Sequence, residues 1–282
     1  MNYRHAFHAG NFADVVKHAT LARIISHLKE KPAAFRVIDT HAGAGLYDLA
    51  GPEASRTGEW RAGIGKLLDA ALAPAARDLL APYLDAVASF NPAGLRIYPG
   101  SPALIRAWLR TQDRLVACER EPNAARALAA KMRADARVKA VAIDGYTALN
   151  AYVPPKERRG LVLIDPPFEQ EDEFDRLTQG LAVAHRKWPT GIYMLWYPIK
   201  DTSATAAFSR RLARLGVARI LCAEVEPATG KRDPLRLAGS GLILVNPPWT
   251  LEAELAVLLP SLGHALGTGP ARTRLHWLAG EK

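Results

Sequence analysis

Short apolar runs rich in β-branched residues recur along the chain, separated by stretches whose apolar positions repeat with helical period. The runs are Phe35 to Asp39, Leu115 to Glu119, Val138 to Ile143, Leu161 to Ile164, Ile192 to Tyr197, Ile220 to Val225 and Leu242 to Val245. Amphipathic stretches such as Asn123 to Ala134, Asp172 to Lys187 and Thr202 to Leu215 are long enough to be crossover helices. Strands alternating with helices predict an α/β fold: a seven-stranded, mostly parallel sheet with helices on both faces. Ahead of the first strand, Asn11 to Lys29 predicts a helix, with Asn11 as its cap and Asp14 near the positive end of its dipole.

One interval is too long for a single crossover. In a doubly wound fold the acid closing the second strand follows the first-strand loop by about 20 residues, whereas Asp39 and Glu119 are separated by several times that. The excess, residues 47–96, shows helical segments broken by Pro74, Pro82 and Asn91-Pro92, and no strand pattern. It predicts a helical insertion subdomain, carrying Arg56, Arg61, Lys66 and Arg77, within a main domain of residues 1–46 and 97–282. A solvated cap and a lid that grips substrate both fit it.

Composition narrows the class of partner. The chain has 282 residues, 37 Lys+Arg against 28 Asp+Glu, and a formal charge of +9, which tilts toward a polyanion such as nucleic acid. Cys118 and Cys222 lie far apart in apolar runs and predict buried free thiols in a reducing compartment. The opening MNYRHAFHAGN lacks the apolar core of a signal peptide, and no apolar run approaches the ~20 residues of a spanning helix, so a cytoplasmic location is expected.

Chemistry concentrates at strand ends. Asp165-Pro166-Pro167-Phe168 closes the fourth strand with an acid, two prolines that fix φ and lack an N–H, and an aromatic ring. Methyl transfer to a planar amino group needs such a set: Asp165 and the Pro166 carbonyl accept hydrogen bonds from the amine, and Phe168 stacks on its ring. An ordinary proline turn would also satisfy these four residues. Asp39-Thr40-His41-Ala42-Gly43-Ala44-Gly45 follows the first strand as a nucleotide-type loop. Position 48 is Asp rather than the third glycine of a dinucleotide fingerprint. Glu119 and Asp144 end the second and third strands, so with Asp165 three acids are expected at one crevice. Glu119 suits ribose hydroxyls, and Asp144 with Gly145 suits a cofactor adenine.

Other motifs read more plainly. Asn246-Pro247-Pro248-Trp249 mimics the first motif but follows a strand expected to pair as a hairpin with the sixth, so it is assigned to a turn and packing. The segment Tyr3-Arg4-His5-Ala6-Phe7-His8 with Lys17-His18 gathers histidines without a third spaced acid or thiol; a ligand-contacting segment over the cofactor is expected, and no metal site. Ser101 is expected as a helix cap with Pro102 at the first helical position. Lys231 and Arg232 lie between the sixth and seventh strands, where a basic loop can grip phosphates or form a solvated tip.

Taken with YPGSP, GIYMLWYP and the opening YRHAFHAGNFADVVKH, these motifs resemble the bacterial 23S ribosomal RNA adenine-N6 methyltransferase J family over nearly the whole chain. Phe168 is a departure, since many N6-adenine enzymes carry tyrosine there. The resemblance implies a Rossmann-like class I methyltransferase that uses S-adenosylmethionine on an adenine of unassembled 23S rRNA; a monomer without an obligate protein partner is expected. The resemblance also implies His18, His41, Ser101, Glu119, Asp144, Gly145 and Asp165 as cofactor contacts, joined by Gly43 of the loop, with Asp165 catalytic and Tyr3 on the RNA. Arg4 is expected on the RNA beside Tyr3. Two rivals stay open: a methyltransferase acting on DNA or a protein amide, and a non-catalytic RNA-binding module.

Overall fold

The computed structural model describes residues 4–228 and 237–280. Its main strands are β1 (Phe35–Asp39), β4 (Arg114–Glu119), β5 (Val138–Ala142), β6 (Arg159–Ile164), β7 (Ile192–Ile199), β8 (Ile220–Glu226), β9 (Gly239–Val245) and β10 (Arg272–Ala279). A separate antiparallel ribbon pairs β2 (Leu46–Asp48) with β3 (Ile97–Pro99). The helices are α1 (Phe12–Lys29), α2 (Pro52–Thr57), α3 (Lys66–Leu68), α4 (Pro74–Ser89), α5 (Ser101–Trp108), α6 (Pro122–Met132), α7 (Gly145–Tyr152), α8 (Glu173–Lys187), α9 (Thr202–Ala213) and α10 (Leu251–Leu266).

The large sheet runs β10-β8-β9-β7-β6-β1-β4-β5 and has eight strands, one more than expected. The additional strand is β10. Its sequence interleaves Arg272, Arg274 and His276 with less polar residues and lies at the edge, so it has no apolar run to announce it. From β5 through β7 the strands are parallel, and β9 enters antiparallel between β7 and β8. With β1 central and the connections diverging on either side of it, this is the arrangement of a Rossmann-like class I methyltransferase, as the resemblance implies.

Period-two alternation sends neighbouring residues of each strand to opposite faces. Val37, Leu161 and Leu163 pack in one core with α1, α5 and α10, while Ile38, Val162 and Ile164 pack in another with α7, α8 and α9. Burial on both faces explains why the central strands read as nearly continuous apolar runs, broken in β1 only by Arg36.

Two local expectations change. Pro82 does not end a helix but sits inside α4, where its carbonyl accepts from Trp108 Nε1 at 3.1 Å. Residues 47 and 48, expected in a stretch without strand, pair with Tyr98 and Ile97 in the β2–β3 ribbon.

Candidate active site

All three strand-end acids open into one cavity of about 1990 Å³, larger than a single small ligand needs. Glu119, Asp144 and Asp165 line it, together with His18, His41, Gly43, Ser101, Gly145, Pro166 and Phe168. Parallel pairing brings this about. Thr40 N donates to Leu163 O, Ala42 N to Cys118 O and Ile143 N to Glu119 O, so the loop after β1 is stitched to the ends of β6 and β4.

The glycine loop is held by the acid beside it. Gly43 N donates to Glu119 Oε2 at 2.8 Å, and Glu121 N donates to Oε1 at 2.7 Å. Gly43 and Gly45 both have positive φ, a conformation that glycine adopts without steric cost. Asp144 caps α7 by accepting from Tyr146 N and Thr147 N. Burial pushes its carboxyl up, yet Thr147 and the Arg176 guanidinium outweigh this and hold it below the usual range. Gly145 is a close-approach position: a Cβ there would lie 2.5 Å from Thr40 O and from His41 Cε1.

Burial dominates the deeper groups. It lowers His41 to about 4 and His18 to about 3, so both rings are neutral at pH 7. His18 Nδ1 lies 2.7 Å from Tyr98 Oη, which is 3.1 Å from Tyr83 Oη of α4. Its Nε2 is buried without a hydrogen-bond partner. Burial also raises Asp39 to about 7. Asp39 Oδ2 accepts from Ser101 Oγ at 2.7 Å, so Ser101 does not cap α5; the cap is Gly100, and the Ser101 hydroxyl is spent on Asp39.

At the end of β6, Phe168 has φ 51, a left-handed conformation that costs an aromatic residue of order 1 kcal/mol. Its ring stands edge-on to Phe174 at 5.0 Å and to Trp196 at 5.8 Å, which fix its plane at the cavity wall. Strain of this kind persists only where packing enforces it, and it clusters at functional sites.

Asp165 has a partner that no motif announces. Lys17 Nζ donates to Asp165 Oδ2, and lies 2.8 Å from Asp14 Oδ1. Asp14 also accepts from Gly10 N at 2.9 Å, and His5 Nε2 is 3.0 Å away. Burial disfavours both charges, but mutual attraction outweighs it: Asp14 is held well below the carboxylate range and Lys17 is pushed above its ordinary value. The N-terminal histidines are thus engaged with acids, His5 with Asp14 and His8 with Glu59. Among the described residues no cluster of His, Cys, Asp or Glu is arranged to hold a metal.

Asn246-Pro247-Pro248-Trp249 lies elsewhere. Because β9 is antiparallel to β7, its end is at the opposite edge of the sheet. Asn246, with φ 51, donates through Nδ2 to Pro189 O and Gly191 O, the turn role expected of it.

A family model described as ribosomal RNA large subunit methyltransferase D, RlmJ, matches residues 32–279. The chain belongs to the RlmJ family. Ribosomal RNA large subunit methyltransferase J of Escherichia coli (strain K12) is 40% identical over 287 residues, covering 100% of both chains. The protein of the same name from Haemophilus influenzae is 38% identical, covering 95% of this chain and 96% of its own. A crystal structure of a Legionella pneumophila protein, 32% identical, superposes with a TM-score of 0.87 and covers 98% of this chain and 99% of its own. The RlmJ fold takes its methyl group from S-adenosylmethionine, and the cavity suits that cofactor: acids at successive strand ends, a glycine loop, and the unpartnered His18 Nε2. No described helix is long and apolar enough to cross a membrane.

Arg4 lines the cavity mouth, where its guanidinium is 2.6 Å from Glu53. Tyr3, Lys231 and Arg232 lie outside the described residues.

Proposed function

We propose that this chain methylates the N6 amino group of one adenine in 23S rRNA, in the cytoplasm, as a monomer acting on RNA not yet assembled into the large subunit. The observation that carries this reading is the Asp165-Pro166-Pro167-Phe168 turn, strained at Phe168 and opening into the cavity lined by Glu119 and Asp144.

S-adenosylmethionine supplies an electrophilic methyl group when bound. Glu119 accepts hydrogen bonds from ribose hydroxyls, and Asp144 with Gly145 holds the cofactor's adenine end. His18, His41, Gly43 and Ser101 complete the walls, with both imidazoles neutral and able to accept or donate. A target adenine leaves its stack at a cost of a few kcal/mol and lies against Phe168. Asp165 and the Pro166 carbonyl would each accept a hydrogen bond from the amino group, leaving the nitrogen lone pair free for attack, and the proton that the methylated nitrogen must lose would pass to solvent. Lys17 stays charged beside Asp165, so the carboxylate acts by holding the amine in place.

Residues 47–96 act in this reading as a subdomain over the cavity, since Arg56, Gly58, Glu59 and Ala62 line its rim. Arg4 contacts RNA at the mouth. Tyr3, Lys231 and Arg232 keep the RNA-contacting role assigned from sequence, and the flanking Ala228 and Leu237 line the cavity.

The test is methylation of deproteinised 23S rRNA, assembled large subunits and duplex DNA, with the modified nucleotide mapped. A single N6-methyladenine confined to the free rRNA is expected. Preference for DNA or for the assembled subunit would refute the reading.

A further inference from the structure

A second aromatic site lies at the far edge of the sheet. Trp249 is 80% exposed and, with Trp277, Arg219, Pro248 and Glu252, lines a cleft of about 340 Å³. Trp277 Nε1 donates to Glu252 Oε1 at 2.9 Å, which fixes that ring, while Trp249 presents its face to solvent at the end of the Asn246-Pro247-Pro248 turn. The turn explains the prolines. It does not explain a tryptophan left in water.

The cleft is joined to the active site by β10. Arg272, at its start, lines the large cavity and pairs in register with Glu226 at the end of β8; Trp277 pairs with Leu221 near the start of β8. The five steps from Arg272 to Trp277, at about 3.4 Å each, span roughly 17 Å. Arg272, Arg274 and His276 alternate along it, so they share one face at intervals of about 7 Å, and all three are exposed; Trp277, out of phase with them and bonded to Glu252 of α10, lies on the other face, so the path from these residues to the cleft turns round the free edge of β10. Arg274 reaches Glu224 at 3.6 Å but remains 54% exposed, and Glu224 also accepts from Tyr197 Oη. Charged residues on an edge strand discourage sheet-to-sheet pairing, which accounts for the cations but not for Trp249.

We propose that β10 and the Trp249–Trp277 cleft form a second RNA-binding subsite, which takes an unpaired segment of the substrate as it leaves the catalytic cavity. The Arg272 and Arg274 guanidiniums meet successive phosphates, and a nucleobase stacks on Trp249 at the end of the path. Stacking requires a base free of pairing, so the occupant is single-stranded RNA. This inference rests on the rRNA reading of the catalytic cavity.

The experiment compares two substrates, a short hairpin carrying the target adenine and a longer rRNA fragment with single-stranded flanks. Trp249→Ala is expected to raise KM for the long fragment at least about fivefold, with kcat unchanged and the hairpin unaffected, and Trp249→Tyr to restore the wild-type KM. Arg274→Gln is expected to reduce the salt slope for the long fragment by about one. Equal effects on both RNAs, no effect on the long one, or a changed sedimentation coefficient without a change in KM would overturn the subsite while leaving the catalytic reading intact. Failure of the wild-type protein to methylate either RNA would overturn both.

Discussion

Lys17 and Asp165, 148 positions apart, form an ion pair, buried at the ammonium and partly exposed at the carboxylate, that ties the N-terminal helix to the end of β6. Asp14 shares the same ammonium. The carboxylate assigned to the reacting amine is therefore held in place by α1.

Replacing Lys17 with Met strips the buried Asp14 and the partly buried Asp165 of their cation. Breaking such a pair costs about 3–5 kcal/mol, so the variant should lose stability in a denaturant titration and lose turnover by at least about 100-fold. Adding Asp14→Asn should recover part of the stability and none of the turnover, because Asp165 still lacks its partner.

Asp165→Asn keeps the shape of the turn but replaces one acceptor oxygen with a donor. Turnover should fall by roughly 100- to 1,000-fold. Calorimetry should still detect S-adenosylmethionine binding, since Glu119 and Asp144 are untouched. Loss of cofactor binding with normal turnover of pre-bound complex would contradict the division of labour between Asp165 and the other two acids.

Gly145→Ala introduces a methyl 2.5 Å from the Thr40 carbonyl oxygen, which is backbone and cannot step aside. Overpacking of this kind costs typically 1–3 kcal/mol. The expected result is a lower melting temperature together with weakened cofactor affinity, because α7 and the β1 loop must separate.

Asp39 gives a pH-dependent test with a definite sign. Its folded pKa, about 7, lies above the ordinary value of 3.8, so the folded state binds the proton more tightly and the group's stabilising contribution, present below pH 4, is lost as pH rises to 7. His18 acts in the opposite sense: its pKa of about 3 lies below 6.5, so its contribution is lost as pH falls from 6.5 toward 3. Asp39→Asn removes the first effect alone. The stability difference between variant and wild type should move in the variant's favour by of order 1 kcal/mol per pH unit between pH 4 and 7, measured by thermal unfolding.

What is legible in the sequence depends on which interactions are local. The central strands are legible because burial on both faces leaves them few polar positions, and Glu119 and Asp165 are legible because each ends such a run; Asp144 is legible from the shorter apolar run before it. The strand β10 escapes notice, since an exposed edge needs neither signal. Ser101 reads as a cap because caps and ligand contacts draw on the same hydroxyls; its true partner, Asp39, is 62 positions away. The Lys17–Asp165 pair and the His18–Tyr98–Tyr83 hydroxyl chain are equally long-range, and nothing in the spacing of their residues points from one to the other.

The β2–β3 ribbon sets Tyr47 directly opposite Tyr98, so a polypeptide excursion of some fifty residues departs and returns through a stem only two strands wide. Beyond the stem the excursion is not an appendage: Ile64, Leu67 and Leu80 are buried in the core that also holds residues of α1 and α10, so length can change only at exposed turns such as that of Gly94. Tyr83 limits this freedom. Any replacement that drops its hydroxyl also severs the support it gives, through Tyr98, to the imidazole of His18.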